Sequence, residues 1–531
     1  VHVATDNLTL DPWLPADSLA DALASPERWL VDGGPKTLIG GPTGQVSVRA
    51  ENATLDGVPI AGFVLDAAAG DGRLALNELD GTAGGLRVGA AGVVDQDGRL
   101  TAVKVSLHGA TGKSLANLFP STFATPALWR GPVALEIRGG GPPSALALGI
   151  ALDLGDARLE AQPVIDLRTR AWRASASLRH PSAVRLLGML GVAAPPAVPG
   201  AEAWLGDGSL SLIGQFAQTP APDGWGRLSA DGFTVTAGAL RAGGQLTVAG
   251  KRVAGTITAD VLPVPLPEAG SDVPMPLPAL RGWQGAVAVR TEQVVAGPAD
   301  LADHAAFTVT LGDDVLTIDD FRGQIDGGTL AGSASLNIGA SPFTLTAAAT
   351  VHDTAIRAAP DNAPIGLLSG RLDGTATVTA SGYSPAAMLA TLAGSLDATV
   401  RDGALVGFDL FGAARAIGNA DAQGPSETEE NLRTALQDGT TSFDRLNISG
   451  QAAHGLLRLK SVQLQGAAGS AEAHGSIDLT DGTMDVQVAL TPSIQGAPAV
   501  GLRLDGLLAA PTHQPELAAA SRWLAERPAT R

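Results

Sequence analysis

The chain has 531 residues, among them 67 Gly and 35 Pro. That breaker load excludes a helical bundle, because an interior Gly costs about 1 kcal/mol and a Pro about 3 kcal/mol. With 45% hydrophobic and only 4% aromatic residues, a formal charge of −18 and no cysteine, the chain is neither disordered nor suited to a nucleic-acid partner, and it has no disulfides, thiolate metal sites or Cys nucleophiles.

No apolar run reaches the ~18 residues that span a bilayer, and Val1 does not open a signal-like segment. The expectation is a mature region or fragment whose anchor lies outside this chain. The missing cysteines fit an oxidising compartment.

The predicted organisation runs as follows. Residues 1–36 form a helix-containing segment, with a helix over Ser18–Leu30. A first β region spans 37–262, with a break near 191–200 at Pro195–Pro199 and a helix over Pro181–Leu190. Residues 263–280 hold six prolines between Pro263 and Pro278 and read as a linker or edge-hugging segment, since Pro cannot donate to a ladder. A second β region covers 281–512 with a helical insert at 410–436, and 513–531 form a C-terminal helix or tail.

Period-two alternation recurs throughout, as in Val103/Val105/Leu107, Leu146/Leu148/Ile150, Phe307/Val309/Leu311 and Val486/Val488/Leu490. It puts apolar residues on one sheet face and polar ones on the other. Asp71-Gly72, Asp97-Gly98, Asp373-Gly374, Asp402-Gly403 and Asp481-Gly482 read as hairpin turns. Further helices are expected from Ser384-Pro385, with Ser384 as N-cap. Others are Leu410–Ile417, Ser426–Leu436 with a Ser426/Glu429 capping box, and Pro515–Leu524.

A unit recurs along the chain. Leu74, Leu76, Leu79, Gly84-Gly85 and Leu86 correspond to Leu316, Ile318, Phe321, Gly327-Gly328 and Leu330. A fainter copy runs through Leu457, Leu459, Val462, Leu464 and Gly469. Repeats that cannot bury their own face stack on neighbours, which implies an elongated sheet.

Reactive constellations are poor. Gly109–Ser114 fails as a phosphate loop because Leu107 stands where the first Gly is needed. No two of the eight histidines lie three to five residues apart, so no local zinc pair exists; His454 and His474 read as turn residues. Carboxylates such as Asp319-Asp320 read as turn residues. No catalytic residue, metal or cofactor is expected, and an enzyme is the least favoured class. The informative feature is the aliphatic face, which something must cover. An ordinary packed core and a half-open groove covered by acyl chains both remain open on the residues alone.

The C-terminal half narrows this. Residues from about Leu277 to Pro511 resemble the AsmA family. The resemblance rests on Phe307–Leu311, Leu316–Phe321, Ile325–Gly332, Leu368–Gly374 and Thr379–Gly382. It continues through Met388–Gly394, Val400–Leu410, Thr441–Leu446, Gly475–Leu479 and Leu504–Gly506. The resemblance, which extends to TamB-like and YdbH-like relatives, implies a mainly β fold. The expected form is an elongated, curved antiparallel repeat sheet making a half-open groove, with a few short helices. It further implies passive phospholipid conduction between inner and outer membranes, supporting outer-membrane biogenesis. The setting would be the periplasm of a Gram-negative bacterium, with an inner-membrane anchor outside this chain. Partners would be phospholipid acyl chains, the two membranes and outer-membrane assembly proteins. The expected groove-lining residues are Phe307, Val309, Leu311, Leu316, Ile318, Leu457, Leu459, Val462 and Leu464. The competing readings are a scaffold for outer-membrane protein assembly through sheet edges and an adhesin-like β solenoid.

Overall fold

The computed structural model describes residues 1–11, 30–31, 39, 43–55, 57–111, 130–183, 185, 208–221, 224–238, 240–264, 270–275, 277–296, 299–356 and 366–526. The helices expected at 18–30 and 181–190 and the prolines at 195–199 fall largely outside these residues. Among the described residues the chain is mainly β, with 68% strand and 12% helix. Its contacts divide it into two units, Val1–Pro263 and Val264–Arg531.

The first unit holds β1 (His2–Thr9), β2 (Gly44–Leu55), β3 (Val58–Gly70), β4 (Arg73–Ala83), β5 (Leu86–Asp95), β6 (Leu100–Gly109) and β7 (Val133–Gly141). It continues with β8 (Leu146–Leu154), β9 (Ala157–Asp166), β10 (Ala171–His180), β11 (Leu210–Ala221), β12 (Gly224–Ala237), β13 (Leu240–Ala249) and β14 (Arg252–Pro263). Each strand pairs with its sequence neighbour. The pairs are antiparallel except β1–β2, which is parallel. One row of directly opposed residues runs Leu107, Leu135, Leu152, Leu159, Leu178, Leu212, Val235 across seven strands.

The second unit holds β15 (Gln284–Ala296), β16 (Ala299–Gly312), β17 (Val315–Ile325), β18 (Gly328–Asn337), β19 (Thr344–Ala355), β20 (Gly366–Ser381) and β21 (Ala393–Val406). Then come β22 (Thr440–Ala453), β23 (Leu456–Gly466), β24 (Gly469–Asp478), β25 (Thr483–Pro492), β26 (Val500–Leu507) and β27 (Ala510–Glu516). Every neighbouring pair is antiparallel, and the sheet is open and curved. Its helices are α1 (Pro385–Thr391), α2 (Leu410–Gly418), α3 (Ala420–Gln423), α4 (Pro425–Gln437) and α5 (Ala518–Glu526).

Ser384 caps α1 as expected, its side chain accepting from the Ala387 N–H. The capping box at Ser426 does not form. Pro425 takes the first position of α4 and Gly424, at φ 80°, is the cap; Thr428 donates back to the Gly424 carbonyl at 2.8 Å. The C-terminal helix begins at Ala518, because residues 510–516 pair along β26 as a strand.

The repeated unit is one bulged strand. In β4, pairing with β5 steps from Leu76↔Gly92 to Leu79↔Ala90. In β17 it steps from Ile318↔Ala334 to Phe321↔Gly332, and in β23 from Leu459↔Gly475 to Val462↔Ala473. Three residues thus oppose two at the same place in each copy. A three-residue spacing would flip the second apolar pair to the polar face; the extra residue restores it. Asp319-Asp320 sits in the β17 bulge, with Asp320 at φ 52°, and not in a turn.

Asp71-Gly72, Asp97-Gly98 and Asp481-Gly482 do form turns, but Asp373-Gly374 lies inside β20 and Asp402-Gly403 inside β21. At the latter, β21 carries an extra residue, because pairing moves from Arg371↔Arg401 to Ser369↔Ala404. His454 is a turn residue at φ 52°, whereas His474 lies within β24.

Candidate functional site

The register of the second unit joins the aliphatic residues into continuous rows. One runs Val309, Ile318, Ala334, Ala347, Val378, Gly394, Ala452, Leu457, Ile477, Met484. A second starts at Leu311, Leu316, Leu336 and Leu345. A third runs from Phe321 through Gly332, Ala349, Ala376, Leu396 and Gly450 to Leu459, Gly475, Val486 and Leu504. All nine residues expected to line a groove lie on this one face.

Among the described residues, helices cover the face at one end only. From Val400 and Leu446 to Leu504 it is a core, roofed by α2, α4 and α5. Helix α2 turns Leu410, Ala413 and Ile417 inward at helical spacing, and α4 turns Leu432 and Leu436. These four Leu and Ile side chains are under 2% exposed, and burying each contributes about 1.5–3 kcal/mol. Leu464, at 3% exposure, belongs to this core, and Leu459 and Val462 pack against it. By contrast, Phe307, Val309, Leu311, Leu316 and Ile318 on β16–β17 are half-buried, as is Leu457. So are Leu336, Leu345 and Val378. The only aromatic stack described on this open part joins Phe307 and Phe321, with ring centroids 5.6 Å apart.

The open part is the inside of a bend. The Val264 N–H donates to the Val295 carbonyl (2.8 Å) at the end of the sheet that carries the 326–327 turn. The Ala386 N–H donates to the Ser271 carbonyl (3.1 Å) at the opposite end. Seven residue steps, 264 to 271, reach about 25 Å at most. On a flat sheet, five strand spacings and about ten residues of strand would part these anchors by roughly 40 Å. The sheet therefore curls so that its two ends approach over the face on which Val264 packs against the cluster of Val294, Ala302 and Ala305, as Phe321 and Leu330 also do. After Ser271 the chain follows the rim. The Met275 N–H donates to the Tyr383 carbonyl (2.9 Å), and the Arg281 guanidinium donates to the Ile338 carbonyl (3.0 Å).

The opposite face is polar and held by exposed charge pairs. Arg371 pairs with Asp353, and Arg401 with Asp373 at 2.6 Å; His352 Nδ1 lies 2.5 Å from the Asp373 carboxylate. The Arg371 guanidinium holds the Asp353 carboxyl below the usual range. Asp373 is likewise lowered, first by the backbone N–H of Asp353 and then by the His352 hydrogen bond. Asp319 accepts from the Thr317 hydroxyl (2.9 Å). Among the described residues no three metal-ligating side chains come together, and no helix is long and apolar enough to cross a membrane.

What the second unit defines, then, is an open β sheet whose aliphatic face is half-buried over β16–β20 among the described residues and ends in a helix-roofed core. Residues 283–462, which hold most of the uncovered face and the helical insert, match the AsmA family. Over this stretch, about a third of the chain, the sequence is similar to that family, whose members are typically associated with the cell envelope. No curated protein matches the chain.

Proposed function

We propose that the uncovered aliphatic face of β15–β20 takes phospholipid acyl chains, and that the protein conducts them passively between inner and outer membranes in support of outer-membrane biogenesis. The observation that supports this reading is a continuous face of Val, Leu, Ile, Ala and Gly whose β16–β20 part is half-buried, with no helix layer over it among the described residues. Covering such a face with chain-like aliphatic matter is favourable and non-directional, so a lipid slides between equivalent rungs without breaking specific bonds. The match to an envelope-associated family supports the same reading. On this reading the protein works in the periplasm of a Gram-negative bacterium, tethered to the inner membrane by a segment outside this chain. It acts without catalytic residue or cofactor and meets no nucleic acid.

A scaffold that assists outer-membrane protein assembly through sheet edges is the runner-up. The last strand, β27, carries Pro511 and Pro515, which lack the N–H groups an added strand would need.

Mass spectrometry of organic extracts from gently purified protein tests the proposal. The expected result is phospholipid above that of a control protein, and its loss in Leu311→Asp with the sheet content retained by circular dichroism. Equal lipid in the folded variant and the parent, or none above control in the parent, would refute it.

A further inference from the structure

We infer that the lipid-bearing stretch of the second unit is blind at its C-terminal end: acyl chains occupy β15–β20 and stop where α2 and α4 roof the same face. This rests on the acyl-chain reading above and adds where the lipid path ends.

The rows that carry Phe321, Gly332, Ala349 and Ala376 on the open part continue without a break into Val486 and Leu504. Only the roof distinguishes the two stretches. Under it, Leu490, Val500 and Leu502 are at most 1% exposed, which leaves no surface for a chain to touch.

The roof is tied to the sheet on both sides. At its start, the Thr441 hydroxyl on β22 donates to the Phe408 carbonyl (2.7 Å) and accepts the Leu410 N–H (3.0 Å). The Asp409 carboxylate caps α2 through the Gly412 N–H (2.8 Å). At its end, the Gln437 carbonyl of α4 meets His513 Nδ1 of β27 at 3.1 Å. Because α2–α4 is inserted between two adjacent strands, both ends of the insert are also held by β21–β22 pairing. A lipid moving along the open face thus meets packed side chains at Val400 and Leu446, and must leave sideways before them.

The test uses the full, unsubstituted chain loaded from phosphatidylethanolamine vesicles carrying a diazirine on one acyl chain. After photolysis, adducts are mapped by peptide mass spectrometry. The expected result is adducts between Phe307 and Thr379, and at least tenfold fewer between Leu464 and Leu504. Comparable adducts in both stretches would overturn the blind end while leaving the acyl-chain reading intact. Adducts in neither would sink the acyl-chain reading, and this inference with it. The double variant Leu432→Ala/Leu436→Ala, checked for retained sheet content, should gain adducts on β25 and β26. If it stays clean there, the roof is not what excludes the lipid.

Discussion

Truncating one leucine under the roof and one on the open face should give very different losses of stability. Leu436 is fully buried between α4 and the sheet, so Leu436→Ala forfeits its transfer free energy and leaves a cavity that packed neighbours fill only in part. Substitutions of that kind cost about 2–5 kcal/mol. Leu316 is half-buried on the uncovered stretch. Its truncation opens no enclosed void, since water already reaches the site, and the transfer term applies only to the hidden part of the side chain; the loss should stay under about 1 kcal/mol. At roughly 2–4 °C per kcal/mol for a unit of this size, Leu436→Ala lowers the melting midpoint by roughly 4–20 °C. Leu316→Ala lowers it by no more than about 4 °C. Far-UV circular dichroism melts of delipidated protein read both. A Leu316→Ala loss as large as that of Leu436→Ala would mean that the face is a closed core, and the proposed lipid path would fall with it.

The charge pairs on the polar face make acid sensitivity testable. Asp353 and Asp373 both have lowered carboxyl pKa values in the fold. Their contribution is therefore complete above the unfolded value of about 4 and is lost as pH falls through the lower folded values. Asp353→Asn/Asp373→Asn should flatten the fall in melting temperature below about pH 4 and leave the slope above pH 5 unchanged; an unchanged acid limb would count against the pairing. In Thr441→Val the hydroxyl that bridges Phe408 and Leu410 is lost at nearly constant volume, at a cost of about 1–3 kcal/mol. Hydrogen exchange should quicken in α2 before it does in β15–β18. A Cβ at Gly475, where φ is 148°, would lie 2.1 Å from the Asp485 carbonyl oxygen. Gly475→Ala should therefore cost more than about 1 kcal/mol, seen as a lower melting midpoint; a neutral result would place the strand crossing differently.

The strands and their apolar face were legible from alternation, because a two-residue period has no other cheap explanation. The bulges were not: Leu459 and Val462 are three residues apart, which taken alone breaks the alternation, and only the partner strand reveals the compensation. Asp-Gly misled at Asp373 and Asp402, where a strand bulge or a charge pair uses the same dipeptide that hairpins favour. Helices α2 and α4 were visible in the sequence, within a residue or two. Their role as a roof was not, since it depends on which face the insert folds back over. For the same reason Leu464 reads like its neighbours in sequence yet lies inside a core. The Pro-rich stretch read as a linker or an edge-hugging segment; that Val264 packs on the apolar face depends on curl, which periodicity does not encode.

The shared bulge bears on how a protein of this kind can change length. Because the offset is corrected inside a single strand, a hairpin carrying its own bulge is a self-contained segment that enters and leaves in phase. Duplicating or deleting such a hairpin would lengthen or shorten the sheet by two strand widths, about 10 Å, without turning any downstream residue inside out. Span then becomes a quantity that evolution, or an engineer, can adjust in discrete steps, independently of the helices that roof one stretch of the sheet.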